Sequence, residues 1–302
     1  MPDPEPGEGQ VEITVKACGV NFADLLLISG RYTVHPDLPF VPGSEVAGRI
    51  TRVGPGVESF YVGAKVAAYV KHGGYADRVV APIAQVISIA ESIPAPEAAA
   101  FPVSYGSAEL ALERAGPAAG EVVVIGGAAG AVGTACIELA KQRDAIVVAC
   151  VGDSAKEKVA LACGADHIVS SRSRHLHRDI QAVVTAGVDV IIDPIGGGFF
   201  EESLRVLRYA GRVIVLGFAS GKIPSLRLNQ LLVKHQSIIG SSIGLTCIKN
   251  PELMSAKWSR LAEMLEAGQI RPRISHTRPF TDLPTALQML KDRKVAGRIV
   301  LS

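Results

Sequence analysis

The chain has 302 residues, 48% of them hydrophobic, which is enough to bury a large core and long enough that two domains are the natural expectation. Its 31 basic and 29 acidic side chains are spread along the length for a net charge of +2, so nothing calls for a nucleic acid or an anionic membrane surface as partner. Five cysteines (Cys18, Cys136, Cys150, Cys163, Cys247), odd in number and without a CxxC pair, argue against a disulfide scaffold or a cysteine-rich zinc site and fit reduced thiols in a cytoplasmic protein.

The N-terminal "MPDPEPGEGQVEITV" is acidic and proline-rich, without the basic and apolar regions of a secretory signal, and the chain reads as soluble. Residues 1–98 hold short β-branched runs punctuated by glycine and proline ("VEITVKACGV", "EVAGRITRVG", "AKVAAYV", "YADRVVAP"), an all-β texture. From residue 99 the pattern alternates apolar runs with helical stretches: "EVVVIGG", a helix from Val132, "AIVVACVG", a helix around Lys156 to Cys163, "HIVS", "VDVIIDPIGG", "GRVIVLGF" and "SIIGSSIG". Such alternation predicts a parallel sheet covered on both faces. After residue 243, "KWSRLAEMLEAGQI" and "LPTALQMLKDRKV" are amphipathic helices, followed by a closing strand, "GRIVLS". The expected organisation is a mostly β domain over 1–98 and 243–302 and an α/β domain over 99–242.

The segment "VVVIGGAAGAVGTACIELAK" decides the chemistry of the α/β part. Its charge-free stretch is too short to cross a membrane, and its glycines would weaken any helix through its middle. Read as strand, turn and helix, it places Gly127, Gly130 and Gly133 in a GxxGxxG spacing at the entry to the helix. Glycines permit the tight turn, a close backbone approach to a pyrophosphate and tight helix-to-strand packing, while the helix N-terminus offers free amides. A dinucleotide cradle is the expectation. At the end of the next strand an acid would bind the ribose of NAD, whereas a base would favour the 2′-phosphate of NADP. Lys156 and Arg172 favour NADP(H); Asp153 would oppose it if it pointed at the phosphate.

The residues quoted so far, with "GVNFADLLLISGRY", "LPFVPGSEVAGRITRVGPGVESFYVGAKVAAY", "AAAFPVSYGSAELAL" and "VAGRIVLS", resemble the zinc-independent, zeta-crystallin-like quinone oxidoreductases of the medium-chain dehydrogenase/reductase superfamily. The resemblance implies an α/β chain: a GroES-like, mostly β catalytic domain made from both chain ends, a doubly wound Rossmann domain between them, and a nicotinamide cleft at their junction. It also implies an NADPH-dependent transfer of hydride to a quinone or an enone or enal, and a homodimer through the edge strand near "QSIIGSSIG". Where the zinc alcohol dehydrogenases have histidine after the glycine of "PGSEVAG" this chain has Ser44, and a cysteine ligand is missing around Asn21, so no metal is expected. The "HLH" of His175 and His177 reads as a solvated face.

Carried over from the family, the cofactor contacts are Ser107, Gly127, Gly130, Val132, Gly133, Gly152, Lys156, Arg172, Phe218 and Arg298, and the catalytic candidates are Asn21 and Tyr32. Asn21 either hydrogen-bonds the acceptor oxygen or holds a turn; Tyr32 either gives the proton or packs at the cleft rim. Glu45 is either catalytic or part of a buried ion pair, and Asp189 and Asp193, which share one strand face, read as strand-end and turn residues. Leu26 and Ile28 stand where the family often has tyrosine and arginine, which makes the pocket more apolar. The chain starts some way into the family pattern, so an open strand edge is expected in the β domain. Two other readings compete: a nucleotide-binding protein without turnover, structural or nucleic-acid-associated, and an enoyl-thioester reductase.

Overall fold

The structure, a computed structural model, describes residues 4–32 and 35–302 and separates into two compact units, each with its own sheet. One unit runs to Gly106 and resumes over Ile243–Ser302; the other is Ser107–Ser242. The first unit opens with β1 (Gln10–Val20), α1 (Phe22–Ile28), β2 (Glu45–Val53), β3 (Lys65–Tyr69), β4 (Arg78–Pro82), β5 (Val86–Ser88) and α2 (Ala95–Ala99). The helix α3 (Pro102–Ala115) carries the chain into the second unit. The change of texture at residue 99 precedes the structural division because the alanine-rich α2 packs on β1 and β2.

The second unit alternates strand and helix: β6 (Val122–Gly126), α4 (Ala131–Lys141), β7 (Ile146–Val151), α5 (Ser154–Ala162), β8 (His167–Ser170), α6 (Leu176–Val183), β9 (Val188–Asp193), α7 (Gly197–Val206), β10 (Leu207–Val215), α8 (Asn229–Lys234) and β11 (Ser237–Gly240). The chain then returns to the first unit with α9 (Ile243–Lys249), α10 (Pro251–Glu266), β12 (Ile274–Arg278), α11 (Leu283–Lys291) and β13 (Arg298–Leu301).

In the first unit the sheet order is β12-β13-β1-β2-β3-β5, with β4 also on β1. Both chain ends build it, because β13 lies antiparallel to β1 with Cys18 opposite Leu301. β1 is not an edge: β2 lies on one side, while the other side is taken by β4 over Gln10 to Thr14 and by β13 over Cys18 to Val20. Alternating residues such as Val11, Ile13, Val15, Val46, Ile50 and Val66 bury one continuous core. Trp258 of α10 is fully buried, stacks on Tyr69 with ring centroids 5.9 Å apart, and donates from Nε1 to Pro102 O at 2.9 Å.

The second sheet is all parallel, in the order β11-β10-β9-β6-β7-β8. This is the doubly wound order in which the first strand, β6, sits beside both the second and the fourth, so the strand order reverses there. β6 and β9 are buried along their whole length, as strands covered on both faces must be. The two β9 carboxylates serve the backbone. Asp189 accepts from Val122 N at 2.9 Å and pairs with Arg208; Asp193 accepts from Ile195 N at 2.7 Å and Gly196 N at 2.8 Å, which shapes the turn into α7. His177 pairs with Glu202 at 2.7 Å and so ties α6 to α7.

Glu12 places a buried charge on β1 in the sheet of the first unit. Glu12 is 0% exposed, and its carboxylate takes Thr51 Oγ1 at 2.6 Å and Arg52 Nε at 3.0 Å, with Arg78 nearby. The Arg52 hydrogen bond holds this carboxyl below the usual glutamate range. A carboxylate whose folded pKa is depressed stabilises the fold above its unfolded pKa, and that contribution disappears as pH falls through the folded value. Urea midpoints measured from pH 7 down to pH 3 are therefore expected to fall less steeply in Glu12→Gln than in the wild type, with the two curves converging at the acid end.

Candidate active site

β6 runs out of the sheet at the reversal point, and the turn behind it contains the three spaced glycines. Gly127 has φ +58°, a conformation that L side chains rarely adopt. A Cβ on Gly133 would fall 2.6 Å from Ala128 Cα and against Gly127 O, so α4 can only close on the turn without one. Gly130 differs. It is the N-cap of α4 with φ −81°, and a Cβ there would meet nothing nearer than Gly127 O at 3.3 Å. The fold itself demands the first and third glycines, while the second keeps open the space above the free amides of the helix's first turn, where Val132 is half-buried. That is the shape of an anion cradle.

Because the sheet is parallel, the segments leaving the C-terminal ends of its strands share one edge. Gly152 follows β7, and the side chains nearest it are Ser171 and Arg172, which follow β8: a Cβ on Gly152 would lie 3.5 Å from Arg172 Nε and 3.7 Å from Ser171 Oγ. Lys156 lies in the first turn of α5. Asp153 caps that helix, accepting from Lys156 N at 3.0 Å and holding Lys156 Nζ at 3.4 Å; the Lys156 backbone hydrogen bond keeps its carboxyl below the usual range. The acid is committed to the helix end, and Arg172 is exposed beside it. Phe218, which follows β10 on the same edge, is 39% exposed and lies over Gly196. Ser107, half-buried, lies on α3 away from these strand ends in sequence.

The first unit holds a second polar centre. α1 starts at Asn21, whose backbone N–H donates to Asp24 Oδ2 at 2.8 Å in a capping box. Asp24 is 1% exposed and also accepts from Ser44 Oγ at 2.8 Å and from Tyr75 OH at 2.6 Å. Burial pushes its carboxyl above the usual range against those bonds. The Asn21 side chain donates from Nδ2 to Glu45 Oε1 at 2.9 Å and lies 3.5 Å from Gly19 O. Glu45, 0% exposed, pairs with Arg298 and accepts from Val103 N at 2.8 Å. Cys18 Sγ donates to Glu45 O at 2.9 Å. Tyr32 is half-buried; burial first, then the Asp24 charge, raise its phenol above the ordinary value. Its hydroxyl has no partner among the described residues.

The arrangement also places the remaining expected residues. Arg298 is 3% exposed, and its guanidinium, pushed down to about 10 by burial, pairs with Glu45. Of the alternatives for Asn21, the geometry favours the turn, because both of its amide donors face acceptors of the protein. Glu45 is the buried ion pair. Asp24 and Tyr75 escaped the sequence reading, although the spacing of Asn21 and Asp24, three apart before an apolar run, is a capping-box signal that could have revealed both α1 and its acid. Leu26 is half-buried, and Ile28 is 49% exposed.

Residues 7–91 match the model of the alcohol dehydrogenase GroES-like domain, and residues 131–266 that of the zinc-binding dehydrogenases. Quinone oxidoreductase-like protein 2 of Bos taurus is 36% identical over 296 residues, which cover 97% of this chain and 85% of that protein. The chain is a quinone oxidoreductase-like member of the medium-chain dehydrogenase/reductase superfamily. Among solved structures, mycobacterial Rv1454c complexed with NADPH superposes with a TM-score of 0.93 at 28% identity, over 100% of this chain and 94% of that one. A quinone oxidoreductase of Pseudomonas syringae gives 0.92 at 26% identity, over 100% and 93%. In this oxidoreductase fold Ser44 and Asn21 are both held by carboxylates. No group of three or more His, Cys, Asp or Glu among the described residues could hold a metal ion, and no helix of the described residues is long and apolar enough to cross a membrane.

The glycine geometry separates two roles by experiment. Gly133→Ala forces a Cβ into backbone and is expected to lower the thermal midpoint by several degrees, a loss of about 1–3 kcal/mol. Gly130→Ala, with an ordinary φ but a Cβ pressed on Gly127 O at 3.3 Å and an N-cap position where glycine outranks alanine, is expected to cost less, about 1 kcal/mol or under. A comparable midpoint loss in both variants would mean that the second glycine serves the fold as well.

Proposed function

We propose that the protein is an NADPH-dependent reductase that passes hydride to a quinone or to the β-carbon of an enone or enal, with no metal in the step. The observation that carries this reading is the Tyr32 hydroxyl: half-buried, raised in pKa and without a hydrogen-bond partner among the described residues, beside a centre whose other hydroxyl, thiol and amide donors are spent on the protein. The metal-free reading is supported by Ser44 and Asn21, which offer a hydroxyl and an amide where zinc chemistry needs a neutral imidazole and a thiolate.

The residues present fit the nucleotide. The Gly127 to Gly133 turn leaves open amides for a pyrophosphate, and Lys156 and Arg172 suit a 2′-phosphate that Asp153, turned into its helix cap, does not oppose. Ser107 and Phe218 are proposed to flank the nicotinamide portion. When bound, the reduced nicotinamide supplies the hydride. Tyr32 then supplies a proton to the acceptor oxygen that gains the negative charge and regains one from solvent, so that one hydride and one proton reduce the quinone to its hydroquinone. Asn21 contributes by holding α1, and the half-buried Leu26 with Ile28 gives the acceptor an apolar neighbourhood.

The five cysteines are free and buried, which supports a reducing, cytoplasmic setting. A homodimer belongs to the same proposal: β11 has β10 as its single neighbour in the sheet, and α8 just before it exposes Leu228, Leu232 and Val233 by 75–76%. Light scattering is expected to give a dimer mass for the wild type and a monomer mass for Leu232→Asp/Val233→Asp; a monomeric wild type would refute it.

Purified protein is expected to oxidise NADPH in the presence of 9,10-phenanthrenequinone or an alkenal. Tyr32→Phe should lower kcat roughly 100-fold with NADPH affinity unchanged. Because the phenol is raised, wild-type kcat should hold until above the range in which an ordinary tyrosine ionises, and the alkaline decline should vanish in Tyr32→Phe. Calorimetry should show Arg172→Ala weakening NADPH about tenfold while leaving NADH alone. Full activity in Tyr32→Phe would sink the donor role. NADPH binding without oxidation by any quinone or alkenal would favour the nucleotide-binding reading, which the inward commitment of Asn21 already supports.

A further inference from the structure

The Glu45 and Arg298 pair lies at the head of a chain of contacts that runs through α1 to Arg31, the residue before Tyr32. Arg298 holds Glu45; Glu45 Oε1 takes the Asn21 amide at 2.9 Å; Asn21 N donates to Asp24 Oδ2 at 2.8 Å; and these last two residues cap α1. Beyond the helix the chain stays bound to it: Ser29 N donates to Leu25 O at 3.1 Å, Gly30 N to Leu27 O at 3.1 Å and Arg31 N to Leu26 O at 2.9 Å. Tyr32 is the next residue.

α1 has only 7 residues, far fewer than an isolated helix needs to persist in water, so its ends are set by what holds them. Glu45 can only accept, and its charge decides which way the Asn21 amide faces, with nitrogen inward and turned from the solvent side. The pair is expensive to bury and does not obviously serve stability, since apolar residues of the same volume often serve as well. Gly19 has been kept clear for it: a Cβ there would strike Glu45 Oε1, Arg298 Nη2 at 2.7 Å and Ala99 O at 2.8 Å.

We infer that the buried Glu45 and Arg298 pair is a positioning element that acts through Asn21 and α1 to fix the Tyr32 phenol, so that Arg298 contributes to the reaction from inside the first unit. This rests on the reading of Tyr32 as proton donor, and the test keeps the two apart. The chain holds six tyrosines, so protein labelled with 3-fluorotyrosine gives six fluorine resonances, of which that of Tyr32 is the one lost in Tyr32→Phe. In Glu45→Gln the Tyr32 resonance is expected to shift and broaden. With 9,10-phenanthrenequinone, kcat should fall about tenfold while KM for NADPH stays within about twofold. The same substitution placed in Tyr32→Phe should cost less than about twofold, because its effect passes through the missing hydroxyl.

A Tyr32 resonance that stays in place, or an equal loss of kcat with and without the hydroxyl, would overturn the inference and leave the pair as packing alone. Should Glu45→Gln fold poorly with Arg298 left unpaired, Glu45→Gln/Arg298→Met removes both charges and gives the same two readouts. If Tyr32→Phe proves fully active, the donor reading fails, and the fluorine resonance still decides whether the pair positions the residue.

Discussion

A carboxylate with no exposure must be answered inside the protein, and in the first unit the answer to Glu45 organises its surroundings. The positive partner comes from β13, the amide from the start of α1, the backbone N–H from the start of α3 and the clearance from Gly19 on β1. Elements from three regions of the sequence converge on one side chain. The neighbouring Asp24 repeats the pattern with Ser44 and Tyr75, so this interior is a hydrogen-bonded network with its donors already assigned. That assignment is what makes Tyr32 stand apart.

The second unit works by the opposite principle. Its contribution comes from backbone left unengaged: a turn at the reversal of strand order, a helix end with free amides, and cations beside an acid that has been turned away into a cap. Asp153 shows why a residue type alone does not decide nucleotide preference. In a linear reading it is a candidate ribose ligand or a repellent of phosphate, and either role depends on where its carboxylate points. Here it caps α5 and holds the Lys156 ammonium, with Arg172 exposed beside the pair.

Much of this was legible in the sequence for a physical reason. The βα repeat, the GxxGxxG turn and the closing strand are local patterns, each written within about a dozen residues by periodicity and glycine spacing. Asp193 could be read as a strand-end residue because its hydrogen-bonded neighbours, Ile195 and Gly196, follow it directly, whereas the partners of Asp189, Val122 and Arg208, come from other strands. What was not legible depended on long-range pairing. Nothing local marks Arg298 as the partner of Glu45, and nothing local says that both Asn21 donors turn inward. α1 was missed for a different reason: seven residues are too few for periodicity to speak, and only the capping spacing of Asn21 and Asp24 carries the signal.

The two units also differ in when they can be finished on a ribosome. The second is one uninterrupted stretch, Ser107–Ser242, with every strand of its sheet available as soon as β11 has emerged. The first has most of its strands made early, yet Glu45 has no counter-charge until Arg298, almost the last residue of the chain, is synthesised. A nascent chain therefore carries a completed nucleotide-binding fold while its other half waits with β1 open along Cys18 to Val20 and an unpaired acid beside it. The charge around which the first-made strands of this unit pack is thus delivered by β13, long after those strands have been synthesised.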